Sequence, residues 1–184
     1  RAMFQMIRTG CLALAMLALH PSANAQGHEL VPWPARKAIP ALSVADLDGK
    51  VWRLPDLRGK AVLINFWASW CAPCQTEMPS LQTLAELYGP DKLVVLAVNF
   101  KESAPVVQRY RQRTGLALPV LLDPSGTLAR EWGATVFPTT VLVAPDGRVR
   151  GTVRGELDWA GQPAGRLVDA LFAPAGHATP PAGQ

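Results

Sequence analysis

The chain has 184 residues, 49% of them hydrophobic and 17% charged, enough apolar side chain for one compact domain with flanking segments and too much for a disordered chain. Its net charge of +4 falls to +2 when Arg1 and Arg8 are removed with the leader described next, which is too little to argue for nucleic acid. The run Arg109, Arg111 and Arg113 has no interleaved aromatic beyond Tyr110 and reads as a solvated helix face.

Residues 10–19 are nearly all apolar and lie just behind Arg8, and Ala23-Asn24-Ala25 follows with small residues two apart. A positive end, a short apolar run and an A-x-A site are the parts of a secretory signal peptide, so residues 1–25 are expected to be cleaved near Ala25, with Met6 fitting a natural start. The run is shorter than the roughly 20 residues of a spanning helix. No second long apolar segment follows, and the mature protein is expected to be exported and soluble. Cys11 lacks the preceding small and aliphatic residues of a lipid-modified cysteine and is read as a discarded signal residue.

Residues 26–38 carry Pro32 and Pro34 without apolar periodicity and are read as a lead-in linker, with the domain at residues 39–172. Residues 42–47 and 51–54 flank Asp48-Gly49, the turn dipeptide of a tight hairpin. Residues 61–67 are a continuous apolar run broken only by Asn65, the pattern of a central strand covered on both faces. Residues 76–88 place Met78, Leu81, Leu84, Ala85 and Tyr88 at helical spacing, and Gly89 ends them. Residues 93–98 read as a second buried strand and 103–113 as a helix with Pro105 in its first turn. Strand, helix, strand implies a right-handed crossover and a parallel pair. A short strand at 119–122, a short helix at 126–132 and a second hairpin of 139–143 with 148–153 about Asp146-Gly147 come next. A last helix over 159–172 is weakened in its first half by Gly161, Pro163 and Gly165. The tail, residues 173–184, is Pro, Gly and Ala without periodicity and is expected to be disordered.

Cys71 and Cys74 stand between the central strand and its helix. So close a pair encloses too small a loop to constrain the unfolded chain much, which makes it a poor structural staple. It makes a good reversible redox ring. The free amides and dipole at a helix start favour the thiolate of Cys71, lowering its pKa from the usual ~8.5, so Cys71 is the attacking sulfur. Cys74, one turn further, resolves the mixed disulfide. Ala72-Pro73 between them is stiff and uncharged, which favours a moderately reducing couple. Half a zinc site is the competing reading, but zinc needs more ligands, and His20, His28 and His177 lie in the leader, the lead-in and the tail. No metal or cofactor is expected.

The run from Asn65 through Trp70-Cys71-Ala72-Pro73-Cys74-Gln75-Thr76-Glu77-Met78-Pro79, with Val98-Asn99, residues 118–123, Phe137-Pro138-Thr139-Thr140 and Asp146-Gly147, resembles the TlpA, ResA and CcmG group of exported thioredoxin-like proteins over about residues 39–172. The resemblance implies an α/β thioredoxin fold, a central mixed sheet flanked by helices with an added N-terminal β-hairpin. It implies a periplasmic or outer-face reductant whose protein clients include apocytochrome c and copper-site proteins of respiratory oxidases, recharged by a membrane thiol relay. Pro138 matches the position of a cis proline, although X-Pro bonds are usually trans. Glu77, three residues after Cys74, is placed by helical spacing to exchange protons with it, or is an ordinary helix carboxylate; the resemblance favours the first, because the family carries an acid at this position. Asn65 replaces the buried acid of thioredoxin proper and cannot titrate. Trp70, Phe137 and Thr139 are the candidates for touching the client: Trp70 as an exposed lid or as core filling, Phe137 as a client contact or as packing. Gln75 departs from the basic residue common at its position.

The principal alternative is a thiol oxidase with the same fold and the opposite redox bias. A copper chaperone would need soft ligands and a histidine that the domain does not supply, and the P-x-x-x-T-x-x-C pattern of a peroxidase is absent. A monomer acting on protein clients, without nucleic acid, is the expectation.

Overall fold

The computed structural model describes residues 27–173; residues 1–25, read above as a signal peptide, with Cys11 among them, and all but the first residue of the tail lie outside the described residues. The chain runs through strands β1 (His28–Pro32), β2 (Ser43–Ala45) and β3 (Val51–Arg53), a 3-10 turn (Leu54–Leu57), β4 (Ala61–Trp67), helix α1 (Ala72–Tyr88), β5 (Leu93–Phe100), α2 (Ala104–Thr114), β6 (Val120–Asp123), α3 (Thr127–Trp132), β7 (Thr139–Val143), β8 (Val149–Gly155) and α4 (Gln162–Leu171). Six strands form one sheet in the order β1-β8-β7-β4-β5-β6, and β2 pairs with β3 separately. β4, β5 and β6 are parallel, while β7, β8 and β1 complete the sheet with antiparallel pairs. This is the mixed-sheet thioredoxin fold with an added hairpin.

The position of β4 follows from its composition. All seven residues are buried, and alternation sends Leu63 and Trp67 into a core shared with α1, α2 and α4, while Val62, Ile64 and Phe66 join α3 and the hairpin on the other face. Trp67 lies against Tyr110 of α2 with ring centroids 4.9 Å apart, and Trp132 of α3 against Trp33 at 5.9 Å. Asn65 shares the face of Leu63 and Trp67, which aims its amide at α1.

The two turn dipeptides behave as their residue types require. Gly49 takes φ 86°, and Asp46 holds the turn by accepting from the backbone of Asp48 and Lys50 at 2.9 and 3.0 Å and from Trp52 Nε1 at 2.7 Å. Asp146 Oδ1 accepts from Arg148 N in the second hairpin.

Three expectations need correction. The lead-in at 26–38 is not linker throughout: β1 lies along β8, with His28 opposite Gly155 and Pro32 opposite Gly151. The reason lies far along the chain, since a Cβ at Gly155 would overlap the carbonyl of Gly27 and one at Gly151 would sit 2.9 Å from the carbonyl of Val31. Pro32 is tolerated because it ends an edge strand. The last helix begins at Gln162, not at 159, because Trp159 is used in the preceding loop, where it is buried. Arg111 is not a free member of a solvated face: its guanidinium donates to both oxygens of Asp48 at 2.8 Å, tying α2 to the β2–β3 turn. At this exposed position solvent screens the pair, so its part is to fix where the turn sits more than to add stability.

Glycine substitutions separate close approach from mere helix propensity. Gly155 has φ +89° and no room, so Gly155→Ala is expected to cost about 1–3 kcal/mol. Gly165 lies inside α4 with open space about it, so Gly165→Ala is expected to stabilise by roughly 0.5–1 kcal/mol. Urea unfolding midpoints measure both, and an unchanged midpoint for Gly155→Ala would refute the account of β1 docking.

Candidate active site

The site begins where β4 ends. Ala68, Ser69 and Trp70 turn the chain, and Cys71 caps α1 with extended backbone (φ −88°, ψ 105°). Helix α1 therefore starts before the apolar periodicity does, with Pro73 in its first turn, where a missing amide proton does no harm. Cys71 and Cys74 are joined as a disulfide with Cα atoms 5.3 Å apart. The backbone N–H of Cys74 points at Cys71 Sγ from 3.3 Å, and the helix start adds its dipole, so charge on this sulfur is favoured when the bond opens. Cys71 is 6% exposed and Cys74 is fully enclosed. Of the two cysteines, Cys71 alone keeps any exposure.

The turn is held from two sides through Ser69. Its N–H and hydroxyl donate to the two carboxylate oxygens of Glu102 at 2.7 and 2.5 Å, and its carbonyl accepts from Gln75 Nε2 at 2.6 Å. Asn99 Nδ2 donates to the same Glu102 at 2.7 Å. Lys101, just before Glu102, has φ 56° without being glycine, a conformation costly enough to be kept only where the surroundings require it. Neither Ser69 nor Glu102 stood out in the sequence, because 33 residues separate them. Gln75, a departure from the family's basic residue, serves as the second tie.

Glu77 is 2% exposed and is not an ordinary helix carboxylate. Asn65 Nδ2 donates to Oε1 at 2.7 Å, while Leu157 N and Trp159 Nε1 donate to Oε2 at 3.1 and 3.3 Å. Burial pushes its pKa from 4.5 up to about 7; the bonds from Leu157, Asn65 and Trp159 oppose the rise, and the charge of Glu156 adds to it. A carboxyl that titrates near neutrality can take and return a proton. Cys74 lies one turn before it on the same helix, and both are buried.

The segment 136–139 closes the other side. The Phe137–Pro138 peptide is cis, and Pro138 O accepts from Gly155 N at 2.8 Å. Trp70 is 64% exposed and meets Phe137 edge-on at 6.3 Å, while Phe137 lies 4.6 Å from Phe100. Phe137 thus both packs and reaches the face beside Cys71, and Trp70 is not core filling. Thr139 departs from the expectation of a client contact: its side chain is enclosed and its hydroxyl donates to Val136 O at 2.8 Å. Among the described residues no three or more His, Cys, Asp or Glu gather as metal ligands.

A disulfide between a helix-capping cysteine and an enclosed cysteine on the next turn, together with this fold, defines a thioredoxin-fold thiol–disulfide oxidoreductase. Residues 35–152 match the model of the AhpC/TSA family, and the chain belongs to that family. It is 36% identical over 118 residues to the thiol-disulfide oxidoreductase ResA of Geobacillus thermodenitrificans, covering 64% of this chain and 68% of that one. With ResA of Bacillus subtilis it is 32% identical over 154 residues, covering 82% and 85%. The solved structure of a DsbF homologue from Corynebacterium diphtheriae superposes with a TM-score of 0.65 at 26% identity, covering 81% of this chain and 96% of that one.

A raised carboxyl pKa is also a statement about stability. Glu77 binds its proton more tightly folded than unfolded, so its contribution is complete below pH 4.5 and is lost as pH rises through about 7. The lost contribution is on the order of 3 kcal/mol. The unfolding free energy of the oxidised wild type, less that of Glu77→Gln, should therefore fall between acid and mildly alkaline pH, measured by urea titration; a difference that stays flat or rises would contradict the buried, titrating carboxyl.

Proposed function

We propose that the chain reduces disulfides in exported client proteins by dithiol–disulfide exchange. The observation that carries this reading is the asymmetry of the pair: Cys71 caps the helix start and keeps 6% exposure, and Cys74 is fully enclosed on the helix that carries buried Glu77. The Cys71 thiolate attacks a client disulfide, and the departing client sulfur takes the electron pair and then a proton. Cys74 gives its proton to Glu77 and attacks Cys71 Sγ. The Cys71–Cys74 bond forms as the Cys71–client bond breaks, and the second client sulfur leaves with its electron pair. Glu77 can return its proton to that sulfur or to water. Trp70 and Phe137 supply an aromatic face for the client, and Pro138, lacking an amide proton, leaves its neighbours' backbone free for the client chain.

The resemblance to TlpA, ResA and CcmG supports clients such as apocytochrome c and copper-site proteins of respiratory oxidases, and a membrane thiol relay as the source of electrons. It also supports action in the periplasm; the apolar run and the A-x-A site support cleavage near Ala25, and the protein acts as a monomer in this reading. The uncharged Ala72-Pro73 spacer supports the reducing direction.

Cys71→Ser should abolish client reduction with the fold intact, and Cys74→Ser should accumulate mixed disulfides visible on non-reducing gels; trapping by Cys71→Ser instead would reverse the roles. A glutathione titration should give a potential below about −200 mV, whereas a value near about −120 mV would make the chain an oxidase. Glu77→Gln should slow client reduction about tenfold or more and remove a pH dependence centred near 7; superimposable pH profiles would remove Glu77 from the proton path.

A further inference from the structure

The face beside Cys71 is a row of aromatic rings that ends at a cation. Trp70, largely exposed, meets Phe137 with ring centroids 6.3 Å apart, Phe137 lies 4.6 Å from Phe100, and Lys101 Nζ stands 5.2 Å from the centre of the Phe100 ring. The backbone builds in the position of Lys101. Its N–H donates to Asp123 O at 3.0 Å while its φ is held at 56°. Gly126 leaves the space that the side chain uses, since a Cβ there would stand 2.6 Å from Lys101 Cε and 2.7 Å from Phe100 Cε2. Glycine at 126 and a left-handed residue at 101 together lay the ammonium at the end of the row.

The acids adjoining Lys101 are occupied elsewhere. Glu102 accepts from Ser69 and Asn99. The Asp123 carboxylate is enclosed and accepts from Leu128 N and Ala129 N at the start of α3. Among the described residues Lys101 makes no ion pair, and it is exposed. A positive group at the edge of an apolar face, without an anion of its own, favours a negative group on whatever lies along that face and disfavours a positive one.

We propose that Lys101 selects among clients by pairing with an acidic side chain of the client, about three to five residues from the cysteine under attack. The spacing follows from the row. From the Trp70 ring to Lys101 Nζ the three steps span at most about 16 Å, and an extended chain advances about 3.3–3.6 Å per residue. A client strand laid over Trp70, Phe137 and Phe100 therefore brings an acid at that distance to the ammonium, with the apolar side chains between them on the rings. Lys101 touches neither sulfur and takes no part in the exchange itself. The inference rests on Cys71 reducing client disulfides and adds the class of client, a disulfide with an acid at that distance along the chain.

The test uses peptides in which one disulfide joins two identical chains, so that either sulfur presents the same flanks. Glutamate, glutamine or lysine is placed about four residues from the cysteine, on its amino side in one series and its carboxyl side in the other, and about nine residues away in controls that lie beyond Lys101. The reduced protein supplies the two electrons from Cys71 and Cys74, and single-turnover rates of peptide reduction are read by acid quench and mass spectrometry. In one of the two series the wild type should reduce the glutamate peptide about threefold faster than the glutamine peptide and the lysine peptide more slowly still, a spread that shrinks in about 1 M salt. Lys101→Glu should reverse the order and Lys101→Arg should keep it; the rates are compared within each variant, so a general loss of activity does not enter. Equal rates in both series, a gain as large at the far position, or an order that Lys101→Glu leaves in place would overturn the selection while client reduction stands. Failure of the reduced protein to reduce any of the peptides would overturn both.

Discussion

The Glu77 carboxyl joins three stretches of chain that are distant in sequence: α1, which carries it, Asn65 of β4, and residues 157–159 ahead of α4. Placing an ionisable group in a core is costly through lost hydration, and the cost is tolerable only when the group is hydrogen-bonded or neutralised. Both remedies are present here, because three donors meet the charge and a pKa near 7 allows it to be discharged. The same contacts position the fold's last segment. Ser80 hydrogen-bonds through its hydroxyl to Glu77 O and receives Trp159 N–H at 3.0 Å, so the loop before α4 is fixed to α1 one turn past the acid. The carboxyl is therefore a structural joint, and the side chain cannot be exchanged for an apolar one without leaving Leu157, Trp159 and Asn65 with unpaired donors.

The surroundings of the pair are divided. Negative charge is favoured at Cys71, where a backbone amide and the helix start meet the sulfur, while Cys74 is fully enclosed on the helix that also buries Glu77. The division needs a turn that does not drift. Ser69 supplies it, because its amide and hydroxyl are tied to Glu102 beyond β5 while its carbonyl is tied to Gln75 in α1. Pre-ordering of this kind lowers the reorganisation required when a client sulfur arrives in line with the disulfide.

Features governed by near neighbours were legible in the sequence. The all-buried β4, the cysteine pair at a helix start and the turns at Asp48-Gly49 and Asp146-Gly147 each follow from residue type within a few positions. Features that depend on a distant partner were not. The strand character of β1 is decided by Gly151 and Gly155, more than a hundred residues later. Helical spacing placed Glu77 on the face of Cys74, but its burial depends on Leu157 and Trp159 at separations of 80 and 82. Trp159 itself looked like the first residue of a helix, and its bonds to Glu77 and Ser80 explain why the loop keeps it.

The direction of electron flow is not a property of the fold, which serves reductants and oxidants alike. It depends on how much more the surroundings stabilise the dithiol than the disulfide, and the scale is known: about 30 mV for each 1.4 kcal/mol. The thioredoxin-like and DsbA-like ends of the range are about 150 mV apart, which is roughly 7 kcal/mol. A hydrogen bond to a charged group contributes about 1.5–3 kcal/mol, so the Cys74 N–H at Cys71 Sγ covers less than half of that gap. The remainder would need further donors or cations at the sulfur. The residues that could supply them from within the ring are Ala72 and Pro73, which carry neither a charge nor a polar side chain. Within the ring, then, one amide and the helix start activate the sulfur, and neither spacer residue adds to them.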